Sequence, residues 1–143
     1  MSKGNTFEND LLALIFNGTA IADLADNDAT SPLTSLYASL HTSDPGEAGD
    51  QTTNEIAYTG YARAAITRDS GGFTVSGSSI TLTANVDFPE MTGGAGGTVT
   101  HFAIGTAASG TGKILYSGTT DPDHVIQTGN IPRLKTGTTI TED

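Results

Sequence analysis

The 143-residue sequence contains no cysteine and no tryptophan, and only 6% of its residues are aromatic. The lack of cysteine excludes disulfides, thiolate metal ligands and a cysteine nucleophile. No apolar run approaches the roughly 18 residues of a membrane-spanning helix, so we expect no membrane contact. Lys and Arg number only six and are scattered, which is unsuited to neutralising a phosphate backbone. We therefore expect no nucleic-acid partner.

Acidic residues dominate the charge of the chain. Sixteen Asp and Glu against six Lys and Arg give a formal net charge of −10. Residues 1–60 hold nine of the sixteen acids and a single base, Lys3, so most of the negative charge lies in this part. Acidic Glu8 and Asp10 precede the six-residue apolar stretch 11–16, a pattern that predicts no secretion signal.

The first segment of the chain predicts a helix. Thr6 is a suitable N-cap residue, and Glu8 falls in the first turn, where the helix dipole favours an acid. Asn17-Gly18 supplies the left-handed residue with which many helices end. Apolar residues at three- and four-residue spacing predict a single apolar face, formed by Phe7, Leu11, Leu14 and Ile15.

Residues 1–35 are interpreted as an N-terminal helical arm. A second short apolar turn follows the helix, and Pro32 prevents it from continuing. An exposed apolar face on such an arm is suited to burial against a partner. The candidate partner-binding residues of the arm are Phe7, Leu11, Leu14, Ile15, Ile21 and Leu24.

After Pro32 the pattern of apolar residues changes to a period of two, which is typical of strands with one buried face. Glycine-containing turns separate many short segments of this kind. The predicted strands are 36–41, 61–66, 73–75, 80–88, 98–104, 113–116, 124–126 and 134–140. Residues 36–143 are therefore expected to form a mainly β domain, an antiparallel sandwich or barrel-like fold such as a jelly roll or a tulip-like fold.

No motif for catalysis is found. The glycine-rich tract 105–113 has Ala107 and Ile114 where a phosphate-binding loop needs a glycine and a hydroxyl, so a hairpin turn explains it better. No serine lies in a Gly-x-Ser-x-Gly elbow. The string Asp121-Pro122-Asp123-His124 could offer metal ligands, but a proline turn accounts for it. We expect no enzyme, no cofactor and no metal.

One polar segment, here called the acidic loop (residues 44–55), is a candidate contact surface. It begins with the turn Asp44-Pro45-Gly46 and has no apolar periodicity. A structureless loop of about 12 residues is more often functional than a short connection. The candidate contact residues in and after it are Asp44, Glu47, Asp50, Glu55, Tyr58 and Tyr61.

The sequence resembles a family of small structural proteins of tailed bacteriophage virions, often described as tail-fibre-like. The resemblance is carried by residues 36–55, 58–63, 85–89, 97–102 and 112–118, and it extends over nearly the whole chain. Size and composition are also similar to those of capsid decoration (cement) proteins. The family has no catalytic signature to transfer.

The resemblance implies a structural virion protein that is assembled in the host cytoplasm. The main expectation is a capsid decoration protein, a homotrimer that binds the outer surface of the major capsid protein lattice. In that role the arm would bury its apolar face against a neighbouring subunit. The alternative is a tail fibre or baseplate-associated protein that binds a host-surface glycan. Polar Thr and Ser loops are suitable for this role, with Tyr37, Tyr58, Tyr61 and Tyr116 for stacking.

Overall fold

The computed structural model describes residues 5–21 and 33–141, with side chains from residue 8 onward. One helix and nine strands are found in this part of the chain. The elements are α1 (Asn5–Asn17), β1 (Ser35–His41), β2 (Ala64–Thr67), β3 (Phe73–Ser76), β4 (Ser79–Leu82), β5 (Val86–Asp87), β6 (Gly97–Gly105), β7 (Ile114–Ile126), β8 (Arg133–Leu134) and β9 (Thr139–Thr141). The Phe7 side chain and Leu24 lie outside the described residues.

The strands form three antiparallel groups. A four-stranded sheet has the order β2-β1-β6-β7, a three-stranded sheet has the order β3-β4-β9, and β5 pairs with β8. The hairpin expected around the glycine-rich tract is confirmed, because β6 and β7 pair with Ile104 opposite Tyr116. The proline turn expected at residues 121–124 lies inside β7 and not before a separate strand. At this place the pairing of β7 with β6 is irregular and its register shifts.

The chain divides into two compact units that each contain several segments. Unit 1 comprises Met1–Ser35, Ile66–Val86 and Leu134–Asp143, and unit 2 comprises Leu36–Ala65 and Asp87–Arg133. The division at residue 35 expected from the sequence stays a prediction.

In unit 1 the helix packs on β3 and β4. The fully buried stripe of α1 contains Leu12 and Phe16, each 0% exposed, and the Phe16 ring meets Phe73 edge-on with 4.7 Å between centroids. Leu11, Leu14 and Ile15, the described residues of the predicted apolar face, are half-buried instead. The most buried positions of the helix thus differ from the predicted face, whose burial against a partner stays a prediction: in an unbroken apolar run, periodicity cannot tell one stripe from the next.

The end of α1 is fixed by a residue that is distant in the sequence. The helix ends before Gly18, whose φ of 64° is the predicted left-handed residue. No basic residue lies in its last turn. The Arg68 guanidinium donates hydrogen bonds to the carbonyl oxygens of Leu14 and Ile15 in the last turn of the helix, and also to the carbonyl of Leu33.

The three-stranded sheet of unit 1 has one apolar and one hydroxyl-bearing face. Phe73, Ile80 and Leu82 are buried on one side. The register brings two rows of hydroxyl side chains together on the other, Thr74-Thr81-Thr139 and Ser76-Ser79-Thr141. The alternation of side chains along each strand accounts for both faces.

Unit 2 is centred on β1, β6 and β7. Its core contains Leu36, Ala38, Leu40, Val99, Phe102, Ile104 and Ile126 from these strands, with Ile56, Phe88 and Met91 from the connections. The mainly β class, the antiparallel sheets and the N-terminal helix are thus confirmed, whereas a closed barrel or a jelly roll is not seen in residues 33–141.

Candidate functional site

The acidic loop of unit 2 is a compact, closed loop and not the structureless connection that the sequence predicts. At its base His41 and Glu55 form an isolated antiparallel bridge. The Thr42 backbone N–H donates to the carbonyl of Asn54 at 2.9 Å. Asn54 has a φ of 56°, a left-handed conformation that asparagine tolerates better than most residues. The two ends of the loop therefore meet, as in an Ω-loop.

Polar side chains also fix the interior of the loop. The Asp44 carboxylate accepts from the Gly46 backbone at 2.9 Å, while the Asn54 amide donates to the Asp44 carbonyl at 3.0 Å. The Asp50 carboxylate accepts from both the hydroxyl and the backbone N–H of Thr52, at 2.6 and 2.7 Å. These hydrogen bonds, the hydroxyl first, lower the pKa of Asp50.

Gln51 attaches the acidic loop to the β6–β7 connection (residues 106–113). Its side chain is 0% exposed. The amide nitrogen donates to the Tyr37 carbonyl at 3.1 Å, and the amide oxygen accepts from the Ala107 N–H at 3.0 Å. The Gln51 backbone N–H donates to the Gly112 carbonyl at 2.9 Å. All polar groups of this buried amide side chain thus have partners within the protein.

A second attachment is the ion pair between Arg63 and Glu55. The guanidinium and carboxylate meet through two hydrogen bonds of 2.7 Å each, a bidentate arrangement. Their side chains are only 2% and 15% exposed. Arg63 also donates to the carbonyls of Ala107 and Gly110 at 3.0 and 2.9 Å, and the Tyr61 hydroxyl donates to Glu55 at 2.8 Å. The hydrogen bonds to the Glu55 carboxylate raise the pKa of Arg63, although burial acts in the opposite direction.

Two of the predicted contact residues, Glu55 and Tyr61, therefore lie within this network. Glu55 pairs with Arg63 and also accepts from the Tyr61 hydroxyl. Burial raises the pKa of the Tyr61 hydroxyl and, to a smaller extent, that of Tyr58, whose hydroxyl donates to the Pro89 carbonyl at 2.8 Å. These groups stabilise the base of the acidic loop, while their role in partner contact stays a prediction.

His41 lies in a buried polar pair behind the loop. Its Nε2 lies 2.9 Å from the Ser39 hydroxyl, and its Nδ1 lies 2.8 Å from the Thr53 carbonyl. Burial lowers the pKa of His41, so the neutral ring is favoured. A serine beside a histidine is also a hydrolase feature, but both residues are 0% exposed and no substrate could reach them. The pair is structural.

A groove lies where the acidic loop meets β7. It has a volume of about 360 Å³ and is lined by Asp44, Gly46, Glu47, Ile114, Leu115, Tyr116 and Ser117. Asp44 and Glu47 are exposed, and Asp50, the third acid of the loop, is half-buried. The structure thus places two of the six predicted contact residues, Asp44 and Glu47, in a concave surface beside an aromatic residue, Tyr116.

The described arm residues belong to unit 1 and not to this site. Leu11, Leu14 and Ile15 are half-buried on α1, and Ile21 is half-buried in an isolated bridge. The residues that sequence reasoning missed are Gln51, Arg63 and Arg68, since a single polar residue with a distant partner leaves no periodic signal. The side chains of Gln51 and Arg63 bind backbone groups of Tyr37, Ala107 and Gly110, which are 14 to 56 residues away in the sequence.

Other kinds of site find no support in the described residues. Among residues 5–21 and 33–141, no three His, Asp or Glu residues are grouped so that they could hold a metal ion. No helix in the same ranges is both long and apolar enough to cross a membrane. Buried side-chain nitrogen and oxygen atoms in the described part of the chain all have hydrogen-bond partners.

Comparison with known proteins identifies a family. The family model described as "Podophage GP4 fiber I protein gp80" matches residues 2–142, which is nearly the whole chain. A search of curated proteins finds no match.

Proposed function

The chain belongs to the podophage GP4 fiber I protein gp80 family, and from this premise we propose that it binds a host-surface glycan through the groove beside the acidic loop. Its family makes it a phage fibre protein, a structural component of the virion and not an enzyme. The expected resemblance to structural proteins of the phage virion is confirmed at the level of a phage fibre protein. The match supports the fibre alternative and not the main expectation of a capsid decoration protein. Attachment to the major capsid protein and a homotrimer stay predictions.

The observation that carries the glycan proposal is the presence of two exposed carboxylates and a tyrosine in one groove. A carboxylate accepts hydrogen bonds from sugar hydroxyls, and such charge-assisted bonds are stronger than neutral ones. A tyrosine offers an apolar ring that can stack on the C–H face of a sugar. Asp44 and Glu47 supply the first group, and Tyr116 supplies the second.

Charge limits the kind of glycan that fits. Among the described residues, the lining of the groove contains two acids and no Lys or Arg, and the chain carries a net charge of −10. A polyanionic glycan rich in phosphate or uronic acid would be repelled at low salt. A neutral polysaccharide is therefore the expected ligand. Because a fibre presents many copies of its subunits, weak binding at each site is sufficient for attachment.

The test is binding of the purified chain to host cells and to their purified neutral polysaccharide. The double variant Asp44→Asn/Glu47→Gln removes both charges of the groove and is expected to lower the affinity at least about tenfold, since a hydrogen bond to a charged group contributes about 1.5–3 kcal/mol. The matched control Asp121→Asn/Asp123→Asn removes the same charge from the exposed irregular part of β7 and is expected to bind like the wild type.

Two results would contradict the proposal. One is a wild-type chain that binds neither the cells nor the polysaccharide. The other is an equal change in both double variants, because it would indicate a general effect of net charge and not a contact in the groove. Immunogold labelling of intact virions would show, independently, whether the chain is located on a fibre as its family membership requires.

A further inference from the structure

We propose that Gln51 and Arg63 are positioning residues: they fix the acidic loop on the β6–β7 connection and thereby hold Asp44 and Glu47 in the groove. The effect on glycan binding rests on the proposed function, whereas the effect on the loop itself does not. Neither side chain lines the groove.

Both side chains bind the same short segment of backbone. Gln51 accepts from the N–H of Ala107 at 3.0 Å, and Arg63 donates to the carbonyl of that residue at 3.0 Å. Gln51 also binds the Gly112 carbonyl through its backbone, and Arg63 binds the Gly110 carbonyl. Four polar backbone groups of the connection are thus bound by Gln51 and Arg63, which ties the two segments together.

The Gln51 side chain packs directly against two glycines. A Cβ atom at Gly105 would lie 2.2 Å from the Gln51 side chain, and a Cβ at Gly112 would lie 2.1 Å from it. Any other residue at these two positions would displace the amide. The two glycines therefore let the Gln51 side chain pass close to the backbone. A smaller residue at position 51 would leave the Ala107 N–H and the Tyr37 carbonyl without their hydrogen-bond partner.

The half of the acidic loop from Gln51 to Glu55, which is attached to the rest of unit 2, holds the half that contains Asp44 and Glu47. Asn54 donates its amide to the Asp44 carbonyl at 3.0 Å. Gly49 packs so tightly on Pro45 that a Cβ at position 49 would lie 2.1 Å from the Pro45 carbonyl oxygen. Movement of the Gln51–Glu55 half would therefore be transmitted to Asp44 and the neighbouring Glu47, because packed segments shift together rather than deforming one by one.

The experiment compares two variants with matched controls in the full chain. Gln51→Ala removes the buried amide, and Gln127→Ala changes the other glutamine, which is exposed. Arg63→Lys keeps the charge but loses the bidentate geometry, and Arg133→Lys does the same at an exposed Arg–Asp pair. For each, hydrogen exchange is measured for amides of residues 46–56 and, separately, for Phe102, Ala103 and Ile104 in the middle of β6.

The two substitutions are expected to affect the acidic loop and not the middle of β6. In Gln51→Ala and Arg63→Lys, the amides of the acidic loop are expected to exchange at least about tenfold faster, while the β6 amides stay within about twofold of the wild type. Affinity for the neutral polysaccharide is expected to fall by about tenfold in the same variants and to stay unchanged in both controls.

Loop amides that exchange as slowly as in the wild type would overturn the proposal. So would faster exchange of equal size in the loop and in β6, because it would show a general loss of stability. If the wild-type chain binds no polysaccharide, the proposed function fails, but the exchange data still decide whether the two residues position the loop.

Discussion

The two units of the molecule are stabilised by different kinds of contact. In unit 1, a helix packs on a three-stranded sheet mainly through apolar side chains such as Phe16 and Phe73. Unit 2 also has an apolar core, but four of the five buried polar or charged residues in the described part of the chain belong to it: Ser39, His41, Gln51 and Arg63. The fifth, Glu8, is in unit 1.

The polar contacts of unit 2 lie where the acidic loop must be held. Apolar packing is non-directional and fills space, whereas a bidentate ion pair or a buried amide specifies one geometry. A loop rich in polar residues cannot bury enough apolar surface to hold itself in one conformation. The comparison teaches that unit 2 uses buried polar side chains to order a segment that apolar packing could not order.

The largest effect is expected from the core of unit 1. Phe16→Ala removes a fully buried ring and should destabilise the unit by about 3–5 kcal/mol. Leu11→Ala, at a half-buried position of the same helix, should cost clearly less. Thermal unfolding, followed by the exchange of amides in β3 and β4, measures both. A loss in Leu11→Ala as large as that in Phe16→Ala would contradict the assignment of the Leu12–Phe16 stripe as the main packing face of the helix.

A smaller but still large effect is expected from the ion pair of unit 2. Arg63→Met leaves Glu55 without its counter-ion in a largely buried site and should cost about 3 kcal/mol, the lower end for buried pairs because Glu55 keeps some exposure. Arg133→Met breaks an equally bidentate pair with Asp87 whose side chains are about half exposed, and it should leave the urea midpoint nearly unchanged. Similar shifts in the two variants would contradict the distinction between buried and exposed pairs.

The smallest effect concerns pH. Burial lowers the pKa of His41, with Arg63 and His101 acting in the same direction and Glu55 opposing them. Below about pH 6.5, His41 binds a proton in the unfolded state but not in the folded state. The contribution of neutral His41 to the free energy of unfolding is therefore fully present above that pH and decreases as the pH falls below it. Urea midpoints at pH 7.5 and 5.5 should show this decrease in the wild type and in a His124→Gln control, and a smaller one in His41→Gln. An unchanged dependence in His41→Gln would exclude His41 as its source.

Several elements of the fold could be predicted from the sequence because they depend on local patterns. The alternation of apolar residues marked β1, β3 and β6 nearly to the residue. The glycine-rich tract was correctly interpreted as a hairpin turn and not as a phosphate-binding loop. Asn17-Gly18 marked the end of α1, since a left-handed residue is a local requirement.

Other features depend on contacts between distant residues and could not be predicted in this way. The predicted strand 80–88 is divided into β4 and β5, and the two strands predicted for 113–126 form the single strand β7. The attachment of the acidic loop depends on Gln51 and Arg63, whose partners are up to 56 residues away. The sequence did identify the acidic loop as a distinct segment, and it named Asp44 and Glu47 among the contact residues, but it had no signal for the groove that β7 completes.

The central claim is that the acidic loop is held in one conformation. Hydrogen exchange of the backbone N–H of Gln51 tests it most directly. This N–H lies in the middle of a polar segment, yet it donates to the Gly112 carbonyl at 2.9 Å. We expect it to exchange at least about a hundredfold more slowly than an unstructured peptide of the same sequence. Exchange at the rate of the unstructured peptide would show that the loop is not held on the β6–β7 connection, and it would contradict the account.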